Sequence, residues 1–205
     1  AKAVHPAQRL LDLQDKMEMA KSPTAQKNIL IEAGKVNKLG ALMFAAKFLE
    51  TAALQSDAAI VVAKLALANP DFKGPMVRPV LQRALTLLKG EDSAILASKL
   101  AYHIKAMPYD YGFENLFNGT DLSGWKGLVA NPIARSKMNA QQLQDAQAKA
   151  DASIKSDWVV KDGLLVFTGH GDNLCTQKQY GDFELFVDWK ITEKGDAGIY
   201  LRGTP

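Results

Sequence analysis

The chain has 205 residues, 47% of them hydrophobic and 23% charged, with a formal net charge of +3. That composition supports one large or two modest globular domains. Lysine and arginine are scattered rather than clustered, which leaves no nucleic-acid footprint, and no apolar run reaches the length a membrane-spanning helix needs. The single cysteine, Cys175, excludes an internal disulfide and any multi-cysteine metal site, and it reads as a small strand residue rather than a nucleophile. The chain opens mid-pattern at Ala1, as a mature or trimmed protein would, so a missing signal peptide does not argue for the cytoplasm.

Residues 1–108 read as helix after helix. Leu10, Leu13, Met17 and Ala20 share one helical face. Ser22 followed by Pro23 is a start signal for a second helix, an N-cap with proline at the first helical position, and Ile29, Ala33 and Val36 carry it to about Asn37. Gly40 is placed to bend the chain there. A third segment holds Leu39, Leu42, Met43, Ala46, Leu49 and Ala53. Ser56-Asp57 is predicted to cap a fourth, Ala58 to Asn69, which is apolar nearly all round and therefore central. After Pro70 and Gly74-Pro75 comes a clean amphipath of Val77, Val80, Leu81, Ala84, Leu85 and Leu88, with Gly90 placed to stop it in a left-handed conformation. Asp92 or Ser93 is predicted to cap the last helix, whose inward residues are Leu96, Leu100, Ile104 and Met107. Helices of similar length joined by short turns suggest a bundle or a HEAT- or armadillo-type repeat array. His5 sits at a terminus and His103 one position off an apolar face. No residue of this half asks for chemistry.

At Pro108 the helical period breaks and β signals take over, which places the domain boundary there. Residues 113–125 carry a short apolar run, an Asn-Gly turn at Asn118-Gly119 and the pair Gly124-Trp125. Asn118-Gly119-Thr120 matches a glycosylation sequon, a weak signal. Residues 131–156 interrupt the strands: Asn139 caps a helix to about Ile154 with only a narrow stripe of Leu143, Ala146, Ala150 and Ile154, predicted to lie on the surface as a loop elaboration. Asp162-Gly163 between two apolar runs is a hairpin cue. His170 follows in a glycine-flanked loop with Asp172 and Asn173. From Asp182 to Ile191 the residues alternate, so that Phe183, Leu185, Val187, Trp189 and Ile191 are predicted to bury and the intervening set to face outward or into a cleft. The run Ala197 to Arg202 repeats the pattern. Two neighbouring strands would present Glu184, Asp188, Lys190, Tyr200 and Arg202 on one surface, an arrangement that an ordinary solvated sheet face also allows. Short strands with regular turn signals argue for an antiparallel sandwich.

The stretches from Phe113 to Gly127, from Trp158 to Thr176, from Tyr180 to Ile191 and from Gly195 to Pro205 together resemble the 3-keto-disaccharide hydrolase domain family. That family is a jelly-roll sandwich of the concanavalin A-like type, and the insert at 131–156 is similar to the variant of Bacteroidetes-type members. Residues 1–108 lie outside the resemblance; their helical pattern, joined to it, gives the expected fold class, an α+β, multi-domain chain with a helical array over 1–108 and then the N-terminal part of the sandwich over 109–205. The resemblance implies that the family continues past the Gly203-Thr204-Pro205 segment into the other half of the sandwich, so the jelly roll here is expected to be incomplete. It also implies a periplasmic, secreted or outer-membrane-associated bacterial setting and a glycoside substrate.

The implied reaction has definite needs. A ketone at C3 of a sugar acidifies the C2 proton, and removing it lets the glycosidic oxygen leave from C1 before water adds. Such a site needs a base, an electrophile or divalent metal at the enolate oxygen and a proton donor for the leaving group. Glu184 or Asp188 fits the base or a metal ligand, Arg202 or Lys190 the enolate, and Tyr200 a proton donor or stacking platform. His170 is a second base candidate that also reads as an ordinary loop histidine. Two-carboxylate glycoside hydrolysis is disfavoured, because four residues along a strand put the backbones of Glu184 and Asp188 roughly 13 Å apart, long for a retaining pair. Two other classes stay open. One is a non-catalytic carbohydrate-binding module using Trp125 and Tyr200. The other is a structural protein that docks a partner through its helical half.

Overall fold

The structure is a computed structural model that describes residues 5–109 and 111–201. It divides into two compact units, Ala1–Glu114 and Asn115–Pro205.

The first unit contains α1 (Pro6–Met19), α2 (Pro23–Ala33), α3 (Leu39–Ala46), α4 (Gln55–Ala68), α5 (Val77–Leu87) and α6 (Glu91–Ala106). Ser22 caps α2 as its sequence predicts, its Oγ accepting from the Ala25 N–H at 3.2 Å with Pro23 at the first helical position. Four other expectations shift. The second helix stops at Ala33 rather than near Asn37, and the third at Ala46, after which 47–51 continues in tight i→i+3 turns. Ser56 and Asp57 lie inside the first turn of α4 instead of capping it. The Leu54 and Gln55 N–H groups both bond the Thr51 carbonyl at 2.8 Å, which starts the turn earlier, and Asp57 pairs with Lys27 at 3.2 Å. Gly90 is left-handed (φ +87°) but stands at the N-cap of α6, which begins at Glu91, so neither Asp92 nor Ser93 caps it.

α4 is central. Its buried residues Ala58, Ala59, Val61, Val62, Ala63, Leu65 and Ala66 reach round the helix, and it packs against α2, α3, α5 and α6. Leu30, Leu39, Leu42, Leu54, Leu81 and Leu100 fill the space around it and are almost fully buried. Burying a leucine side chain contributes roughly 1.5–3 kcal/mol, so this one continuous core carries the unit. Arg78 closes its end. Buried among these helices, it donates to the carbonyls of Ile104 (2.9 Å), Met107 and Pro108 (3.3 Å), at and just beyond the C-terminus of α6. The unit runs past the expected break at Pro108: the Phe113 N–H donates to the Lys73 carbonyl at 2.7 Å, and the Met76 N–H donates to the Phe113 carbonyl at 3.1 Å.

The second unit contains β1 (Trp125–Gly127), α7 (Pro132–Arg135), α8 (Ala140–Asp157), β2 (Trp158–Lys161), β3 (Leu164–Phe167) and β4 (Leu174–Thr176). β1 pairs antiparallel with β4, Lys126 opposite Cys175, and β2 with β3, Trp158 opposite Phe167. The predicted hairpin forms with Asp162 (φ +52°) and Gly163 (φ +73°) at its tip, the positive-φ pair that a tight hairpin turn demands. Asn139 caps α8 in a full capping box with Gln142.

Two expectations fail here. α8 is not a surface elaboration. It packs on β1 and β2, and Ala150 and Ile154, together with Val129, are the buried apolar residues of the unit among the described residues. The alternating stretch 182–201 forms no strand among the described residues. Its turn is present, with the Gly195 N–H donating to the Thr192 carbonyl at 2.9 Å, but apart from the half-buried Leu185 the side chains predicted to bury are open, Trp189 64% exposed and Ile199 56%. Two ribbons of three- and four-residue strands make no second sheet for that face to close against, and a ribbon of two strands cannot bury a face alone.

Candidate functional site

The second unit gathers its polar groups around the N- and C-terminal ends of two short loops. The first is the turn at 118–124. The Asn118 carboxamide oxygen accepts from the N–H groups of Thr120 (2.8 Å) and Asp121 (2.9 Å), while its nitrogen donates to Asp121 Oδ1 at 2.7 Å. The Ser123 N–H donates to the same oxygen at 2.8 Å. The Ser123 hydroxyl and backbone N–H, with the Asn118 amide, hold the Asp121 carboxyl below its ordinary range. The turn leads directly into β1, which lies so close to α8 that only glycine fits at 127, since a Cβ there would overlap the Ala150 carbonyl. The Gly127 N–H donates to Asp151 Oδ1 at 2.9 Å, and Gln147 Nε2 donates to the Gly127 carbonyl at 2.9 Å and to Asp151 Oδ1 at 2.7 Å.

The second loop, 169–173, is clamped by Asp157 at the end of α8. That carboxylate is 8% exposed and accepts from Ser153 Oγ (2.7 Å), Ser156 Oγ (3.1 Å) and the Asp172 N–H (3.1 Å). Ser153 first, then Asp172 and Ser156, outweigh burial and keep its carboxyl below the ordinary range. Gly171, at φ +115°, leaves room for it, because a Cβ at that position would overlap the carboxylate. Trp158 Nε1 donates to the Asp172 carbonyl at 3.0 Å, and Thr168 donates to the Asp157 carbonyl through both its N–H (2.9 Å) and its hydroxyl (3.0 Å).

Between the 118–124 turn and α8 lie two concavities of about 420 Å³ each, which share Asp121, Leu122 and Lys155. One continues to Trp158 and the other to Trp125 and Gln177. Trp125 thus lines a groove, and its indole nitrogen is buried without a hydrogen-bond acceptor. His170 is exposed in the clamped loop. Glu184, Asp188, Lys190 and Tyr200 are exposed along 182–201, with Tyr200 84% open, and they line neither concavity. Arg202 lies outside the described residues. Among the described residues, no three His, Cys, Asp or Glu side chains gather as a metal site. Sequence reasoning missed Asp121, Asp157, Lys155 and Trp158. The signals were there in part: Asn118 and Asp121 three apart around a glycine are the mark of an Asx turn.

Residues 112–205 match the family model described as a 3-keto-alpha-glucoside-1,2-lyase-like domain. The match covers the second unit and the segment leading into it, and it supports a glycoside-related domain there. No curated protein and no solved structure matches the chain. No helix among the described residues is long and apolar enough to cross a membrane.

Proposed function

We propose that the C-terminal unit is a carbohydrate-active hydrolase or lyase that opens the glycosidic bond of 3-keto-glycosides. The observation that carries this reading is the match of residues 112–205 to the lyase-like domain. In the reaction, a carboxylate, Glu184 or Asp188, takes the C2 proton, and the C–H electron pair moves onto the C3 ketone oxygen. A cation, Arg202 or Lys190, offsets that charge. Collapse of the enolate forms the C1–C2 double bond and breaks the C1–O bond, and the departing oxygen takes a proton from Tyr200 or water. Water then adds at C1. His170 is the alternative base, held near the unit's surface by a loop fixed on Asp157.

The same family match suggests a concanavalin A-like jelly roll for this unit, and a periplasmic, secreted or outer-membrane-associated setting is proposed from the family resemblance alone. For residues 1–108 a HEAT- or armadillo-like stack is proposed, in which the helical half docks a protein partner. It is supported by the helix contacts, whose main pairs join elements only one or two apart in the chain, as in a stack of repeats. A purely carbohydrate-binding module is the second reading, favoured by the place of Trp125 on a groove.

The deciding experiment incubates the full chain with a 3-keto-glucoside and follows released aglycone. Release is expected, and Glu184→Gln or Arg202→Ala should lower kcat/KM by on the order of 100-fold or more. Intact 3-keto-glucoside alongside measurable glycan binding would sink the enzyme and leave the binding module. Activity that survives exhaustive chelation would remove a metal from the scheme.

A further inference from the structure

We propose that the groove between the 118–124 turn and the C-terminal half of α8 is a sugar subsite that takes a neutral pyranoside ring. The proposal rests on the carbohydrate reading of this unit and assigns to it a binding place that none of the candidate catalytic residues occupies. The groove consists of two adjoining shallow depressions of about 420 Å³ each, open to solvent. Its walls combine two chemistries that a sugar ring needs together. Leu122, with Trp158 in one depression and Trp125 in the other, offers apolar and aromatic surface to the C–H faces of a pyranose. Asp121, Lys155 and Gln177 offer hydrogen bonds to its hydroxyls.

Asp121 is the anchor. Its Oδ1 is already engaged by Asn118 and Ser123 at 2.7 and 2.8 Å, so the carboxylate is fixed in place before a ligand arrives. The contacts that depress its pKa keep it ionised, which makes it an acceptor only. A carboxylate so stabilised is a poor base for a carbon acid. It suits donors, and a pair of hydroxyls on adjacent ring carbons supplies two. Lys155 lines both concavities with Asp121, yet the two form no ion pair. Opposite charges that face one groove without meeting leave room for a neutral polyol between them, the ammonium donating to ring oxygens and the carboxylate accepting from hydroxyls.

The test titrates the full chain with methyl α-glucopyranoside, following tryptophan fluorescence and ligand-observed NMR. Saturable binding is expected, with Lys155→Met and Asp121→Asn each raising the dissociation constant roughly tenfold, the scale of one charge-assisted hydrogen bond. Lys149→Met, on the same helix but outside the groove, should bind as wild type. Asp121→Asn touches the turn's own hydrogen bonds, whereas Lys155 has no partner to lose, so the lysine variant keeps the test clean. Wild-type binding that Lys155→Met leaves unchanged, or no binding of any methyl pyranoside, overturns the subsite. Glycoside binding that is lost in Lys155→Met, in a protein that never cleaves a 3-keto-glucoside, overturns the enzyme and upholds the subsite.

Discussion

A carboxylate that is 8% exposed must find donors to offset its lost hydration, and Asp157 finds three. Two come from serines on its own helix and one from the Asp172 backbone across the loop, so a single side chain ties the end of α8 to the segment bearing His170. Because these bonds favour the ionised form, the folded-state pKa lies below the ordinary value of 3.8. The stability they confer is therefore fully present above the unfolded-state pKa and is lost as pH falls through the depressed folded one. Lowering the pH below about 4 should loosen the 169–173 loop first, seen as faster exchange of the Asp172 amide, while neutral pH leaves it protected. In Asp157→Asn that acid-dependent step should vanish and protection at neutral pH should fall. An Asp172 amide as protected in the variant as in wild type would contradict this account. Nothing in the sequence near Asp157 marks it out, since its partners lie at 153, 156 and 172 and only the fold brings the last of these near. His170 was legible from its flanking glycines, but the acid that holds its loop was not.

At the scale of elements, the C-terminal unit depends on one close approach. β1 has three residues, too few to hold a helix by side-chain interdigitation, and its contact with α8 runs through backbone: the missing Cβ of Gly127 admits the Ala150 carbonyl, and Gln147 and Asp151 bond both polar groups of that glycine. Gly127→Ala should force the helix outward and cost about 1–3 kcal/mol, the usual range for overpacking. All three tryptophans, Trp125, Trp158 and Trp189, belong to this unit, so urea unfolding followed by their fluorescence reads it directly. A midpoint unchanged from wild type would show that α8 is held elsewhere. This contact also explains which elements were legible. Signals that act within a turn of chain came through: Ser22 and Asn139 as caps, and Asp162-Gly163 as a hairpin tip. The burial of α8 did not, because its apolar stripe is no wider than that of a solvent-exposed helix, and Gly127 lies 23 residues from its partner Ala150. The alternation over 182–191 marks a sequence fit for a sheet, yet a strand exists only where a ladder partner is in place, and the period of two says nothing about where that partner comes from.

The limits of each unit, at the scale of the whole molecule, follow from where hydrogen bonds close rather than from where the sequence changes character. The helical period ends at Pro108, yet the backbone of Phe113 bonds Lys73 and Met76, and the Arg78 guanidinium lies 3.9 Å from the centre of the Tyr109 ring. Phe113 also packs against the helical core. These contacts are made by residues whose composition reads as β, which is why a boundary drawn from periodicity falls six residues early relative to the compact unit ending at Glu114. The energy at stake is definite. Two backbone hydrogen bonds contribute about 0.5–1.5 kcal/mol each, and a cation–π contact at a partly exposed site about 0.5–1 kcal/mol. A fragment of residues 1–114 should therefore unfold cooperatively by circular dichroism at 222 nm, with its core from Leu13 to Met107 intact, whereas one ending at residue 108 should be less stable by about 2–3 kcal/mol. For a domain of this size that difference lowers the melting temperature by on the order of 10 °C. Equal melting temperatures for the two fragments would mean that the segment after Pro108 contributes nothing to the helical unit, and that the break in the sequence pattern is the physical boundary after all.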